Sequence, residues 1–411
     1  MNREPRGYCD KVHAAVSMLF PPVDPNERFR ERRAAARRRK RLRRGVAVSA
    51  ILAAMALLSV GAQFVSTSGS PSATVETVGT TSSGATPPAG TRALPVEIRG
   101  VHVTMGLASL PGKLDEYLDL EHDGLTALEL DVKDETGQVG FTSAGMPLAM
   151  KVGAARDYYS AREAARLAHD RDIYLIGRVV VFEDPILAKA RRDLAIQWPD
   201  GSVWRDSAGL GWTNPYDRRV WDYNVDVAVA AARAGFDEIM FDYVRFPSDG
   251  DVDSAVYRNR DGLSKHDAIP AFLRYAASRL ERHDVRISAA VFGLSASRDL
   301  GIGQLPGRMA PHLDGVYAMT YPSLFGPGEL GIADPSAAPG ETVARALRRF
   351  AIRLRGTEVL VVPWVQDFSF TTPFELEEVR AQIDAARRAG AKGFLLWNAE
   401  GVYTEGALAP P

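Results

Sequence analysis

The sequence predicts an α/β protein in which residues 95–408 form a closed (β/α)₈ TIM barrel. From residue 96 onward, short segments rich in β-branched residues alternate with amphipathic helical segments, and eight such units fit before residue 400. This alternation indicates parallel strands, and eight units over this length are typical of a closed barrel. An open doubly wound sheet is the competing architecture, but no Gly-rich phosphate-binding loop follows the first strand.

The predicted strands are runs of β-branched and aromatic residues at positions 98–104, 127–133, 173–181, 238–243, 286–292, 315–321, 358–364 and 393–397. The clearest helical patterns lie between them, at positions 162–170, 218–234, 268–283, 341–355 and 374–389. Two of these patterns end in Ala-Gly directly before a strand, at Ala234-Gly235 and Ala389-Gly390. Glycine commonly follows the C-terminus of a helix, so these pairs support the predicted boundaries.

Charge is strongly segregated along the chain. Residues 1–44 hold 14 Lys and Arg against 5 Asp and Glu, whereas all later residues hold 36 against 46. A basic tail on an acidic body argues against nucleic-acid binding by the main domain. The single cysteine, Cys9, lies in the basic tail, so an intrachain disulfide is excluded.

The 21 residues from 45 to 65 follow the basic tail and carry no charge. A helix of this length spans roughly 30 Å, the thickness of a hydrocarbon core, and the positive-inside rule places the N-terminus in the cytoplasm. A cleaved signal peptide is the alternative, but the 44 residues before the apolar run are far more than usual. We therefore expect a single-pass signal-anchor in the lipid bilayer, a flexible Ser/Thr/Pro-rich linker at residues 66–94, and an extracellular barrel.

The longest gap between predicted elements, residues 182–217, follows the third strand and contains Trp198, Trp204, Trp212 and Tyr216. In a barrel this gap is a loop at the C-terminal face, where active sites form. Exposed aromatic rings there would provide platforms for sugar rings. The alternative interpretation, in which they pack a long loop onto the barrel, is equally compatible with the sequence.

The C-terminal ends of the predicted strands carry carboxylates and tryptophans together. Burying a charged group directly after an apolar strand costs free energy unless the group is paired with an opposite charge or serves a function. Carboxylates with tryptophans suit glycoside chemistry better than metal hydrolysis, and none of the seven histidines has a His-x-x-x-His spacing. The sequence therefore predicts a glycan-binding site with no catalytic metal and no cofactor, leaving open only a Ca²⁺ bound by carboxylates.

Asp242 is the strongest catalytic candidate, because it follows the apolar run Ile239-Met240-Phe241 directly. A neighbouring Arg245 would favour its ionised form, which a nucleophile or general base requires. The alternative is a structural Asp242–Arg245 pair at the barrel mouth. For the partner acid the sequence offers Asp367 and Glu400, and then Asp134, each of which is also interpretable as a surface or capping carboxylate.

The other polar and aromatic side chains at the strand ends are predicted to bind the substrate. They are Arg245, Asp131, Lys133, Asp134, Arg178, Trp212, Tyr321, Trp364, Gln366, Trp397 and Asn398.

The segment from Gly235 to Pro247, GFDEIMFDYVRFP, closely resembles the signature of a bacterial family described as a putative glycosyl hydrolase domain. Further matches are the segments 99–104 (RGVHVT), 131–134 (DVKD), 212–216 (WTNPY) and 321–323 (YPS), so the resemblance covers nearly all of residues 97–400. It implies a TIM barrel distantly similar to amylase-like and chitinase-like hydrolases, with Asp242 as a catalytic carboxylate at the end of strand four.

Two positions depart from related patterns. A family-18 chitinase motif has Glu two residues after the position of Asp242, where this chain has Val244, so a chitinase mechanism is excluded. Relatives often carry Asp before Val-Phe-Gly on strand five, where this chain has Ala290. The main hypothesis is a glycoside hydrolase acting on a cell-wall or extracellular polysaccharide, and the alternative is a non-catalytic glycan-binding barrel in envelope organisation. A phosphodiesterase is less favoured, because the sequence has neither a metal cluster nor an anion-binding loop.

Overall fold

Eight parallel strands close into a barrel in the computed structural model, which describes residues 92–370 and 372–411. They are β1 (Ile98–Val103), β2 (Ala127–Lys133), β3 (Tyr174–Val180), β4 (Glu238–Asp242), β5 (Arg286–Phe292), β6 (Gly315–Met319), β7 (Leu360–Gln366) and β8 (Gly393–Trp397). Each strand pairs with its neighbour in sequence, and β1 pairs with β8. The predicted barrel is therefore confirmed.

Helices follow the strands and surround the barrel. The α-helices of the described residues are α1 (Met105–Ala108), α2 (Lys113–Leu118), α3 (Pro147–Lys151), α4 (Ala161–Asp170), α5 (Pro185–Ala190), α6 (Arg218–Ala234), α7 (Lys265–Leu280), α8 (Pro306–Met309), α9 (Pro339–Arg353) and α10 (Leu376–Arg388). Seven short 3₁₀ segments in the described residues complete the connections, at Asp119–Asp123, Arg192–Leu194, Glu281–His283, Gly293–Ala296, Ala310–His312, Pro322–Leu324 and Glu329–Gly331.

The predicted helix ends depend on glycine as expected. Helix α6 ends at Gly235, whose φ of 108° lies in the left-handed region that only glycine adopts without strain. Its backbone N–H bonds to the carbonyls of Ala231 and Ala232, which terminates the helix directly before β4. The turn between α6 and β4 is thus short, and it brings Asp242 to the top of the barrel.

The alternation of side chains along β2 is interrupted near its C-terminal end. Glu129 and Asp131 are two residues apart and share one face of the strand. The register with β3 then shifts between Asp131 and Lys133. A bulge of this kind redirects the following side chain. Lys133 contacts helix α6 through Asn224, whereas Asp131 lines the opening of the barrel.

The aromatic residues of the long loop after β3 pack inward. Trp204 and Trp212 are fully buried and Tyr216 is 2% exposed. The indole N–H of Trp204 donates to the carbonyl of Asp251, and that of Trp212 donates to the Asp206 carboxylate. The interpretation of these three rings as exposed sugar platforms is therefore wrong, because each is covered by its own loop and neighbouring segments.

The predicted membrane span at residues 45–65 lies outside the described residues, as do the basic tail and nearly all of the linker. Within residues 92–370 and 372–411, no helix is both long enough and apolar enough to cross a bilayer.

Candidate active site

A pocket opens at the C-terminal ends of the strands, the face that carries the active sites of such barrels. Its empty space, counted together with the open mouth, is about 820 Å³. Charged and aromatic residues line it together. The lining consists of His102, Thr104, Asp131, Glu135, Arg178, Asp242, Tyr243, Arg245, Phe292, Gln304, Met319, Tyr321, Leu324, Trp364, Phe368, Trp397 and Ala399.

Arg178, from β3, is the centre of the charged lining. Its Nε and Nη2 both lie 2.8 Å from Oδ2 of Asp242, and its Nη1 donates to Oδ1 of Asp131 at 2.7 Å. The same Nη1 lies 3.5 Å from Oε2 of Glu135. Burial lowers the pKa of Arg178, but these carboxylates outweigh burial and raise it well above its usual range. A permanently charged guanidinium therefore holds three carboxylates at the pocket.

Asp242 ends β4 and is held on both of its oxygens. Oδ2 faces Arg178, and Oδ1 accepts a hydrogen bond of 2.7 Å from the backbone N–H of Tyr243. Tyr243 has a φ of 48°, a left-handed conformation that is uncommon for an aromatic residue. Such conformations cost on the order of 1–3 kcal/mol and cluster at functional sites. The turn keeps the Asp242 carboxylate fixed in the pocket wall.

Arg245 is not the cation that contacts Asp242, so the predicted Asp242–Arg245 pair is corrected to an Asp242–Arg178 pair. The Arg245 guanidinium donates to the carbonyl of Phe246 and to Oγ of Ser248. It also lies between aromatic rings, 4.9 Å from the centroids of Trp212 and Tyr243 and 4.8 Å from that of Phe292. The side chain still lines the pocket, where it remains a candidate for substrate binding.

Four aromatic rings form a continuous wall of the pocket. Tyr321 lies 6.4 Å from Trp364, 5.9 Å from Phe368 and 5.4 Å from Trp397, measured between ring centroids. Phe368 packs edge-on against Trp397 at 5.4 Å. The hydroxyl of Tyr321 and the indole N–H of Trp364 are buried without a hydrogen-bond partner. The wall is therefore apolar at its surface, and these two polar atoms lie beneath it.

His102 of β1 and Glu129 of β2 lie at the inner end of the charged lining. Nδ1 of His102 is 3.5 Å from Oε2 of Glu129, and Nε2 is 3.8 Å from Oδ2 of Asp131. Burial lowers the pKa of His102, but the charges of Asp131 and Glu129 outweigh burial and raise it above 6.5. Burial raises the pKa of Glu129, against the opposing effect of His102.

Lys133 does not reach the pocket. It is fully buried, and its Nζ donates to the carbonyl of Val180 at 2.7 Å and to Oδ1 of Asn224 at 3.0 Å, and lies 2.9 Å from Oδ2 of Asp184. Burial lowers the pKa of Lys133, which Asp184 partly offsets. The bulge in β2 explains this placement, and the predicted role in substrate binding is corrected to a buried ion pair.

Asp134 also lies outside the pocket lining. Its Oδ1 accepts hydrogen bonds from the backbone N–H groups of Thr136 and Gln138, at 3.0 Å each, and from the Thr136 hydroxyl. This carboxylate therefore organises the turn after β2. The adjacent Glu135 is the residue that faces the pocket.

The carboxylates predicted at the ends of β7 and β8 do not line the pocket either. Asp367 accepts hydrogen bonds from the backbone N–H and the hydroxyl of Thr404, at 2.9 and 2.5 Å. Burial raises the pKa of Asp367, and the Thr404 hydrogen bonds oppose this. Glu400 is exposed, and its backbone N–H donates to Oδ1 of Asn398, whose amide N–H₂ bonds to the Asp367 carbonyl. These residues tie down the C-terminal segment.

Two further predicted binding residues support the pocket from behind. Gln366 is fully buried and accepts from the backbone N–H of Ser323, while its amide donates to the carbonyl of Phe368. Trp212 packs against Tyr243 at 6.0 Å. Of the predicted site residues, the pocket brings together Asp131, Arg178, Asp242, Arg245, Tyr321, Trp364 and Trp397.

The sequence reasoning missed three charged residues of this region, namely His102, Glu129 and Glu135. The sequence does indicate Glu129, because this residue precedes Asp131 by two positions and the alternation of a strand puts both side chains on one face. Glu135 follows Asp134 in an acidic run, where the backbone turn decides which carboxylate faces inward.

Comparison with known proteins identifies a family and a similar fold. Residues 100–403 match the model of the family described as "Putative glycosyl hydrolase domain". The chain belongs to this family. No curated protein matches the chain.

Among solved structures, a hypothetical protein from Ruminiclostridium thermocellum is similar at 35% sequence identity, with a TM-score of 0.43, over 46% of this chain and 96% of that one. The PgaB (BpsB) glycoside hydrolase domain from Bordetella bronchiseptica has a TM-score of 0.56 at 14% identity, over 74% of this chain and 94% of that one. The spore cortex-lytic enzyme SleL of Bacillus megaterium has a TM-score of 0.45 at 12% identity, over 75% and 72% of the two chains. The similarity to the Bordetella domain supports the barrel fold.

Proposed function

We propose that this protein is a glycoside hydrolase that cleaves O-glycosidic bonds of a cell-wall or extracellular polysaccharide. The observation that carries the proposal is the position of Asp242, a buried carboxylate held by Arg178 within a pocket that also has a wall of four aromatic rings. Glycosidases use a pair of carboxyl groups beside the scissile bond and pass through a cationic, oxocarbenium-like transition state. Membership of a glycosyl hydrolase domain family supports the same reaction class.

Asp242 serves in this proposal as the ionised carboxylate, because two nitrogens of Arg178 face one of its oxygens. Glu135 is the best partner acid in the pocket. Its side chain is 23% exposed, whereas that of Asp131 is 3% exposed and bound at 2.7 Å to Arg178. Glu135 lies 3.5 Å from Arg178, farther than Asp131 does, so Glu135 is less tightly held and freer to contact a substrate. Glu135 would give a proton to the leaving oxygen as the bond to the anomeric carbon breaks. The oxygen of a water molecule would then bond to the anomeric carbon, and the water would give a proton to the carboxylate of the pair that acts as the base.

The aromatic wall accounts for binding in the proposed mechanism. The rings of Tyr321, Trp364 and Trp397 line the pocket and would stack against the apolar faces of sugar units.

The test is hydrolysis of a panel of cell-wall and extracellular polysaccharides by the full-length protein and by Asp242→Asn. We expect product from at least one glycan and a loss of about 100-fold or more in kcat for the variant, since removal of a positioned catalytic carboxylate typically costs 10²–10⁴-fold. Glu135→Gln should also lose activity, and Glu377→Gln, an exposed change on α10, serves as the matched control. Product formation that is equal in Asp242→Asn and wild type would refute the proposal.

A second candidate, a barrel that binds glycans without cleaving them, is favoured by one observation. Ala290 of β5 is fully buried and its carbonyl accepts from the Gln304 amide, so this strand end supplies no carboxylate to the pocket. Glycan binding by both wild type and Asp242→Asn, with no product from any glycan, would favour this candidate.

We further propose that residues 45–65 anchor the protein in the cell membrane, with the basic N-terminus in the cytoplasm and the barrel outside. The uncharged 21-residue run and the preceding 11 Lys and Arg between residues 28 and 44 support this. Protease added to intact cells should then digest the linker and release the barrel, while a tag at the N-terminus stays protected. Protection of the barrel in intact cells would contradict the proposed orientation.

A further inference from the structure

Four charged side chains form a closed ring of alternating sign beneath the mouth of the pocket. Arg178 contacts Asp131 at 2.7 Å, Asp131 faces His102 at 3.8 Å, His102 faces Glu129 at 3.5 Å, and Glu129 lies 3.9 Å from Nε of Arg178. The ring connects β1, β2 and β3, and Arg178 joins it to Asp242 on β4. The hydroxyl of Tyr403 donates a hydrogen bond to the backbone carbonyl of His102.

Glu129 is expected to contribute little to the stability of the folded protein. Its side chain is fully buried, and neither of its oxygens accepts a hydrogen bond. A carboxylate removed from water without hydrogen bonds is costly, and buried ion pairs are often no better for stability than neutral side chains of the same shape.

Glu238 is another buried carboxylate inside the barrel, but unlike Glu129 it has hydrogen-bond partners. It accepts hydrogen bonds from Oγ of Ser288 at 2.5 Å and from the Tyr174 hydroxyl at 3.0 Å. Glu238 is therefore a satisfied structural carboxylate that does not line the pocket, whereas Glu129 is an unsatisfied one placed directly behind it.

We propose that Glu129 and His102 are positioning residues that hold Asp131 and Arg178 in place beside Asp242, an inference that rests on the proposed glycoside hydrolase function. Asp131 binds one end of the guanidinium at 2.7 Å. His102 acts electrostatically on Asp131 across 3.8 Å, and Glu129 acts electrostatically on the imidazole across 3.5 Å. Loss of Glu129 releases the imidazole and, through it, the carboxylate that aims Arg178.

The experiment compares Glu129→Gln with Glu238→Gln, the same substitution at two buried carboxylates of the barrel interior, in the full-length protein purified in detergent. We expect Glu129→Gln to lower kcat by about tenfold or more with KM changed by less than about twofold, because only the transition state is affected. Its Tm should equal or exceed that of wild type. Glu238→Gln should show the opposite pattern, with a lower Tm and an unchanged kcat per folded molecule, since an amide N–H₂ would face a hydroxyl donor.

Imidazole NMR supplies a readout that a merely structural role would not produce. His102 should remain protonated at higher pH in wild type than in Glu129→Gln, because the variant keeps only Asp131 as an anionic neighbour of the ring, against the opposing charge of Arg178. If Glu129→Gln lowers Tm and leaves kcat unchanged, the positioning role is overturned.

The two proposals fail in distinguishable ways. Activity in wild type, its loss in Asp242→Asn and wild-type kcat in Glu129→Gln would overturn only the positioning role. Absence of glycan hydrolysis by wild type would overturn the proposed function and this inference together.

Discussion

Arg178→Met should destabilise the protein by about 3–5 kcal/mol, because removal of one partner of a buried ion pair leaves uncompensated charge behind. Arg178 is 6% exposed and faces the carboxylates of Asp131, Asp242 and Glu135, with Glu129 3.9 Å away. Methionine has a similar length and no charge, so these carboxylates would repel one another. The variant should also lose hydrolytic activity, since Asp242 loses the group that orients it.

Urea denaturation at several pH values measures this effect. Crowded carboxylates without a cation favour protonation in the folded state, so the deficit relative to wild type should shrink as the pH falls from 7 towards 5. Adding Asp242→Asn to Arg178→Met should restore part of the lost stability, because one repelling charge is removed. Arg388→Met, an exposed change on α10, is the control and should change stability by less than about 0.5 kcal/mol. A wild-type unfolding curve for Arg178→Met would show that the cluster is not held together by this guanidinium.

The barrel itself could be predicted from the sequence, because the strands are short and mostly apolar, and five of the seven gaps between them hold a clear helical pattern. The predictions for β2, β5 and β8 agree with the structure at both ends. The sequence predicts that β7 begins at residue 358, two residues before its observed start at residue 360. Hydropathy alone does not mark this boundary, since Glu358 and Val359 continue the strand-like pattern while the preceding Gly356, with φ of 83°, is still in a turn.

The candidate site was predictable only where strand geometry alone decides the direction of a side chain. Asp242, Arg178 and Asp131 follow the regular alternation of their strands, and all three line the pocket. The sequence wrongly predicts Lys133 in the pocket, because the bulge after Asp131 changes the alternation of side-chain directions along β2. No residue in the sequence marks that bulge.

Carboxylates beyond the strand ends were harder to assign. Asp134 and Asp367 each follow the last residue of a strand directly, yet both hold backbone turns through hydrogen bonds from Thr136 and Thr404. Which of Asp134 and Glu135 faces inward depends on the turn at Gly137, where φ is 82°. The contact between Asp367 and Thr404 joins positions 37 residues apart, so no local pattern in the sequence marks it.

The pocket therefore has its binding surface and its charged groups on different strands. Strands β1 to β4 provide the charged ring and Asp242, whereas β6 to β8 and their loops provide Tyr321, Trp364 and Trp397. A sugar bound against the aromatic wall would present its glycosidic bond to the carboxylates across the barrel. Because the charged groups and the binding surface lie on different strands, substitutions in the charged half should change stability and catalysis with little effect on the aromatic wall.

Lys133→Met should destabilise the fold by about 3–5 kcal/mol, and it should do so without involving the pocket. The substitution leaves the fully buried Asp184 carboxylate without its cation and removes the donor to the Val180 carbonyl and to Asn224. The double variant Lys133→Met/Asp184→Asn should be more stable than the single one, because asparagine removes the buried charge. Its side-chain oxygen can still accept from the backbone N–H of Leu187, as Asp184 does at 2.7 Å, and so cap α5. Urea unfolding of the three proteins measures the coupling between the two positions. A Lys133→Met variant with wild-type stability and weaker glycan binding would instead place Lys133 in the substrate site, as its position at a strand end suggested.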